Sequence, residues 1–214
     1  VVSVNDVLKF VAGVDVRQRG DMGAQTDISM RGGTSDQIAV YLDGINICDP
    51  QTGHNAMDIP LDVNDIERIE ILSGPAGVAY GSSSLTGAIN IVTKKYASSG
   101  VSAHAEGGSY GYFNGGARVG LVTGKVSNQI SAGYLRSDGF SRNSAGGLNS
   151  DYQTVKASYY GTFKSRAADL DWHAGLSARD FGSNTFYSAK FDDQFEHTFK
   201  TFASVQAQTR GFVK

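Results

Sequence analysis

The sequence predicts an α+β unit over residues 1–95, followed over residues 96–214 by antiparallel strands of the kind that build a transmembrane β-barrel. Three observations carry this reading. Residues 65–95, DIERIEILSGPAGVAYGSSSLTGAINIVTKK, hold two strand-like runs with a Ser73-Gly74-Pro75 break after the first. From Val101 onward the apolar residues recur at every second position, which gathers them on one face of a strand. The connections between those runs alternate between short turns and long polar loops, as they do in transmembrane barrels.

In the 65–95 stretch, Ile66, Ile69 and Ile71 sit among Asp65, Glu67, Arg68 and Glu70 as a first strand. A small-residue loop or short helix follows the break, and the apolar run Ala88-Ile89-Asn90-Ile91-Val92 forms a second strand. Upstream, Ser3 or Asn5 is placed to cap a short helix with Val7, Leu8 and Val11 on one side, ended by Gly13. Val14 to Arg17 begins a strand, the polar segment 18–26 is a loop, and Asp27 to Gly32 alternates as another strand. Gln37 to Ile47, QIAVYLDGINI, is a hairpin, because Asp-Gly between apolar runs favours a two-residue turn. A second polar loop runs from Asn46 to Asp58.

Six alternating segments fill the rest of the chain. Val101, Ala103 and Ala105 oppose Ser102, His104 and Glu106; Phe113, Ala117, Val119 and Leu121 oppose Asn114, Arg118 and the intervening glycines. Ile130, Ala132 and Tyr134 oppose Gln129 and Ser131; Val155, Ala157, Tyr159 and Phe163 oppose Thr154, Lys156, Ser158 and Thr162. Leu170, Trp172, Ala174 and Leu176 oppose Asp171, His173 and Ser177; Phe199, Ala203, Val205 and Ala207 oppose Lys200, Ser204, Gln206 and Gln208. The short turns fall at 123–125 and 165–169, the long loops at 137–151 and 182–196. Tyr110, Tyr112, Phe140 and Phe181 near strand ends are candidates for interfacial aromatic girdles. Six strands are too few to close a barrel, since the smallest use about eight. Open strand edges in lipid are costly, so the segment is expected to be part of a longer protein.

Composition bounds the function. With 214 residues and a formal net charge of -2, nothing marks a nucleic-acid partner. The mean hydropathy of -0.23 suits a barrel, in which only alternate residues face lipid. There is no apolar run of about 18 residues for a transmembrane helix. Cys48 is the single cysteine, so an internal disulfide is excluded. No nucleophile elbow, phosphate-binding loop or zinc-protease motif is present. The histidines at 54, 104, 173 and 197 are scattered, and His104 and His173 read as solvated side chains on inward strand faces. Asp192-Asp193 in a long loop is an option for Ca2+, against the plainer reading of a solvated acidic loop.

The 65–95 stretch resembles the end of the plug domain of TonB-dependent outer-membrane receptors. The resemblance rests on Ile66-Glu67-Arg68-Ile69-Glu70-Ile71-Leu72, Gly74-Pro75-Ala76, Tyr80-Gly81 and Gly87 to Lys94. It extends upstream through Ser3 to Val16, Ile28 to Gly32, Asp43-Gly44 and Pro60-Leu61. Ser73 stands where the family usually carries an arginine. The resemblance implies a plug over residues 1–95 and the first six or so strands of a plugged, roughly 22-stranded barrel. It implies substrate contact by the apical plug loops: Arg19, Asp21, Met22 and Gln25 in the first, and Asn46, Asp49, Gln51, Thr52, His54, Asn55 and Met57 in the second. It also implies a structural latch between plug and barrel involving Arg31, Glu67, Arg68 and Glu70. The implied function is non-enzymatic: active import of a scarce nutrient through the outer membrane. The vitamin B12 receptor branch is closest in look, with ferric siderophore or haem receptors as the alternative. Implied partners are a TonB-type energy-coupling protein, the nutrient, outer-membrane lipid and a surface lipoprotein. From other classes, a soluble β-rich binding or adhesion domain predicts that the apolar strand faces pack on a second sheet; an enzyme in an α+β fold predicts a convergent catalytic cluster.

Overall fold

The computed structural model describes residues 3–18, 25–49, 57–74, 84–96, 98–139, 150–184 and 194–210. Its N-terminal half begins with helix α1, Val4–Leu8, whose start is fixed by a capping box between Ser3 and Asp6. Val4 and Leu8 are buried on its inner side, as a four-residue spacing on a helix requires. Val7, expected beside Leu8, is exposed instead. Strands β1, Val14–Gln18, and β2, Thr26–Met30, pair antiparallel.

Four further strands form one mixed sheet: β3, Ile38–Leu42; β4, Ile45–Asn46; β5, Ile66–Ser73; and β6, Gly87–Thr93. Their order is β4-β3-β6-β5, with β3 and β6 parallel and the outer pairs antiparallel. The two central strands are the most continuously apolar runs of this half. Every residue of β3 is buried, as expected of a strand covered on both faces. The predicted hairpin is present, with Asp43 and Gly44 both at positive φ (50° and 81°). That is the primed two-residue turn whose twist matches its strands.

Strand β5 shows why three isoleucines at uneven spacing share one core. Ile66 and Ile69 are three apart, which in a regular strand puts them on opposite faces. The register shifts between Ile66 and Arg68, and this irregularity lets Ile66, Ile69 and Ile71 all pack against the same buried cluster. That cluster gathers Val4, Leu8, Ile28, Met30, Val40, Leu42, Ile59, Leu61, Ile89 and Ile91. Gly87 is needed for closeness: a Cβ there would lie 2.7 Å from Met30 Cε and 2.8 Å from the Leu72 carbonyl.

The second half is an antiparallel meander of six strands: β7, Gly100–Gly107; β8, Phe113–Thr123; β9, Val126–Ser137; β10, Tyr152–Lys164; β11, Ala168–Asn184; and β12, Gln194–Thr209. The alternation read from the sequence holds, but β11 and β12 are longer than read, at 17 and 16 residues. A tilted membrane crossing takes about 9–11, so both strands exceed that length. Tight connections lie at one end of the meander, at 124–125 and 165–167, and the long ones at the other.

The polarity of this sheet is inverted. Val101, Leu121, Ile130, Phe199 and Val205 are exposed on its outer face. Gln129, Ser131, Ser158, His173 and Ser177 are buried on its inner face, against the N-terminal half. No second sheet covers the apolar face among the described residues.

Candidate functional site

The site is where the two halves meet, and it is built on a rung of the meander. Reading across the paired strands, His104, Gly116, Gly133, Lys156, Ser177 and Lys200 stand opposite one another in turn. All project inward, because side chains at equivalent register share a face. The rung below runs Ser102, Arg118, Ser131, Ser158, Gly175 and Phe202.

Residues 58–65 of the N-terminal half lie across these rungs, from β11 back toward β7. Ser177 Oγ donates to Asp58 Oδ1 at 2.8 Å. Lys156 Nζ donates to the Leu61 carbonyl at 3.4 Å. Asn64 Nδ2 lies 3.3 Å from His104 Nδ1. Arg118 donates to the Asn64 carbonyl at 2.8 Å and to Asp65 Oδ1 at 3.0 Å. The rung glycines make the approach possible. A Cβ on Gly133 would lie 2.6 Å from Asp62 Oδ2, and one on Gly175 would lie 2.8 Å from the Pro60 carbonyl.

Burial dominates the electrostatics here. The Asp65 carboxyl is almost wholly buried, and desolvation pushes its pKa up in spite of Arg118. The Arg118 guanidinium also stacks over Tyr96, 5.1 Å from the ring centre. A buried pair of this kind is costly to break from one side, because the remaining charge has no water to turn to.

Toward the long-loop end, the two halves part around a cavity of about 710 Å³. Asn46, Asp49 and Asp58 line one side, and Glu196, Thr198 and Lys200 of β12 line the other. The Lys200 ammonium is buried and has no hydrogen-bond partner among the described residues. The chamber therefore offers a cation and carboxylates facing each other across a space large enough for a substantial part of a ligand.

The expected site residues divide. Asn46 and Asp49 border the chamber. Gln25 is buried, and Met57 packs in the core cluster, so neither presents a side chain to a ligand. Arg19, Asp21, Met22, Gln51, Thr52, His54 and Asn55 lie outside the described residues, as do Asp192 and Asp193. Cys48 is structural: its Sγ accepts from the Val40 amide at 3.1 Å.

None of the expected latch residues forms an ion pair with these six strands among the described residues. Arg31 is exposed in a left-handed turn at φ 51° and has no ion pair among the described residues. Arg68 pairs at 2.9 Å with Glu67 and at 2.8 Å with Glu70, all on the exposed side of β5. Glu70 also accepts from Asn90, and these hydrogen bonds lower its pKa. The contacts with these six strands run through Asp43, Asp58, Asp62 and Asp65. His173, expected to be solvated, is buried at 3.1 Å from Asp43. A usable signal was present: Arg118, Lys156 and Lys200 are cations on inward faces, and buried cations require partners.

Among the described residues, no cluster of His, Cys, Asp or Glu has the arrangement to hold a metal ion.

Comparison with known proteins agrees with this architecture. Residues 1–88 match the TonB-dependent Receptor Plug Domain. The vitamin B12 transporter BtuB of Vibrio vulnificus (strain CMCP6) is 32% identical over 193 residues, covering 86% of this chain and 31% of BtuB. The chain thus spans about a third of that relative's length. Two solved structures share the fold. Pseudomonas aeruginosa FpvA bound to a heterologous pyoverdine superposes with a TM-score of 0.77 at 17% identity, over 99% of this chain and 30% of FpvA. The ferric yersiniabactin uptake receptor FyuA from Yersinia pestis gives 0.75 at 18%, over 99% and 36%. A plug domain seated on a wall that is polar inside and apolar outside, with these relatives, places the chain in the TonB-dependent receptor family, whose members are outer-membrane β-barrel receptors and transporters rather than enzymes.

Proposed function

We propose that the whole protein imports cobalamin across the outer membrane, with energy supplied from the periplasm by a TonB-type coupling protein. The observation that carries this reading is the chamber between the second plug loop and the inner face of β12, at the end of the meander where the long loops lie. Loops held on a rigid scaffold are where ligands are usually met. The relationship to a B12 transporter supports the choice of cargo. Pyoverdine and yersiniabactin receptors share the fold, which supports a ferric siderophore as the second reading.

In this proposal Asn46, Asp49 and Lys200 contact the cargo directly. Asn46 supplies an amide, Asp49 an acceptor and Lys200 a cation with unsatisfied donors. Remaining contacts come from the rest of the two apical loops. The protein hydrolyses nothing itself; force applied to the plug opens the path. The test is equilibrium binding to the full-length protein in detergent, with cyanocobalamin set against a panel of ferric siderophores. Saturable cyanocobalamin binding that weakens about tenfold in Lys200→Met, the loss expected for one charged hydrogen bond, supports the reading. Saturable binding of a siderophore alone replaces cobalamin as the cargo.

A further inference from the structure

We propose that His173 is a positioning residue that seats the Asp43–Gly44 turn of the plug on the barrel wall, at the point where the chain passes from one into the other. The inference rests on the plug-in-barrel arrangement and is independent of the cargo.

Three parts of the chain converge on one carboxylate. Asp43 belongs to the β3–β4 turn, held by its own amide to the Ile91 carbonyl at 2.9 Å. Its Oδ1 accepts from the Thr93 amide at 2.9 Å, and its Oδ2 accepts from the Thr93 hydroxyl. Thr93 is the last residue of β6, seven positions before the long sheet begins at Gly100. The third donor is His173 Nδ1, on β11, 3.1 Å from Oδ2. A hydrogen bond from Gln206 to the Asp43 carbonyl, at 3.1 Å, ties the same turn to β12.

The imidazole itself is held from both sides. Tyr160 and Phe202 meet it edge-on, with ring centres 5.4 and 4.7 Å away. These contacts hold the ring with Nδ1 toward Asp43; a carboxylate oxygen accepts there, so Nδ1 carries the proton. Nε2 is buried without a partner among the described residues. A cavity of about 260 Å³ adjoins this cluster, lined in part by Asp43, Lys95, Tyr160, Asp171 and His173. Asp43 and Tyr160 are the ionisable groups in contact with the imidazole; Lys95 and Asp171, across the cavity lining, pair with each other at 3.3 Å.

The Asp43 carboxyl reports on the contact. Burial acts to raise its pKa, but the hydrogen bonds from His173 and Thr93 outweigh burial and leave it lowered. A lowered carboxyl stabilises the seat above the usual Asp value of about 3.9. That contribution is lost as pH falls through the lower folded value. Removing the His173 donor moves the loss to higher pH.

The experiment is amide hydrogen exchange at Thr93 in the full-length protein in detergent micelles, corrected for intrinsic rates, as a function of pH. His173→Phe should speed exchange at Thr93 about tenfold, the effect of one hydrogen bond to a charged group, and should shift its acid limb to higher pH. His173→Gln, which keeps a donor, should restore most of the protection. Asp43→Asn should abolish the acid limb. Tyr160→Phe should leave it in place. If His173→Phe does not assemble, the acid limbs of His173→Gln and Asp43→Asn decide. An acid limb unchanged in His173→Phe, or one that persists in Asp43→Asn, overturns the proposal. So does a shift of equal size in Tyr160→Phe.

Discussion

The two halves of this molecule use the same alternating pattern with opposite polarity. In the plug, Ile89 and Ile91 of β6 turn inward and are completely buried. In the barrel sheet, Ile130 of β9 turns outward and is exposed, while its neighbours Gln129 and Ser131 are buried. The plug is an ordinary core, driven by removing apolar surface from water. The sheet keeps its apolar surface for lipid and spends its polar face on the plug. Where the halves meet, cohesion is therefore polar: carboxylates on one side, cations and hydroxyls on the other.

That comparison can be broken at its junction. Arg118→Met leaves Asp65 buried beside no cation. The expected cost is about 3–5 kcal/mol, seen as loss of plug protection in hydrogen exchange while the barrel strands keep theirs. An unchanged plug would show that the junction is not held by this pair. On the outer face, Ile130→Arg tests the inverted polarity. A lipid-facing arginine near mid-membrane costs about 2–4 kcal/mol, measurable as a lowered refolding midpoint of the full-length protein in vesicles. No change there would mean that Ile130 does not face hydrocarbon. Within the plug, Ser3→Ala removes the α1 cap, at a cost of about 1 kcal/mol, read as faster exchange confined to residues 4–8. Smallest of all, Arg68→Ala should change stability by less than about 0.5 kcal/mol, because its pairs with Glu67 and Glu70 are exposed. A large loss there would restore Arg68 to a latch with the barrel.

Much of the fold was legible because its signals are local. Asp43-Gly44 marks a tight hairpin, and the runs from Val101 onward declare which residues share a face. The uneven isoleucines of β5 were read as one strand, but the irregularity that reconciles them depends on pairing with β6. The site was less legible. Arg31 and Arg68 drew attention as charges within recognisable motifs, and neither pairs with these six strands among the described residues. Asp58 was read as loop polarity and Asp65 as part of the following strand, because nothing in their spacing reveals that the segment lies across a wall of five strands.

Sequence alone settled the orientation of each side chain along its strand, since the period of an extended backbone is two whatever surrounds it. It also led to the expectation of a division near Lys95 between a compact unit and amphipathic strands. Tertiary structure decided the partners: Asp43 with His173, Asp58 with Ser177, Asp65 with Arg118. Those contacts join positions 53 to 130 residues apart. Glycines at 133 and 175 leave the room on the wall in which Asp62 and Pro60 of the same segment lie.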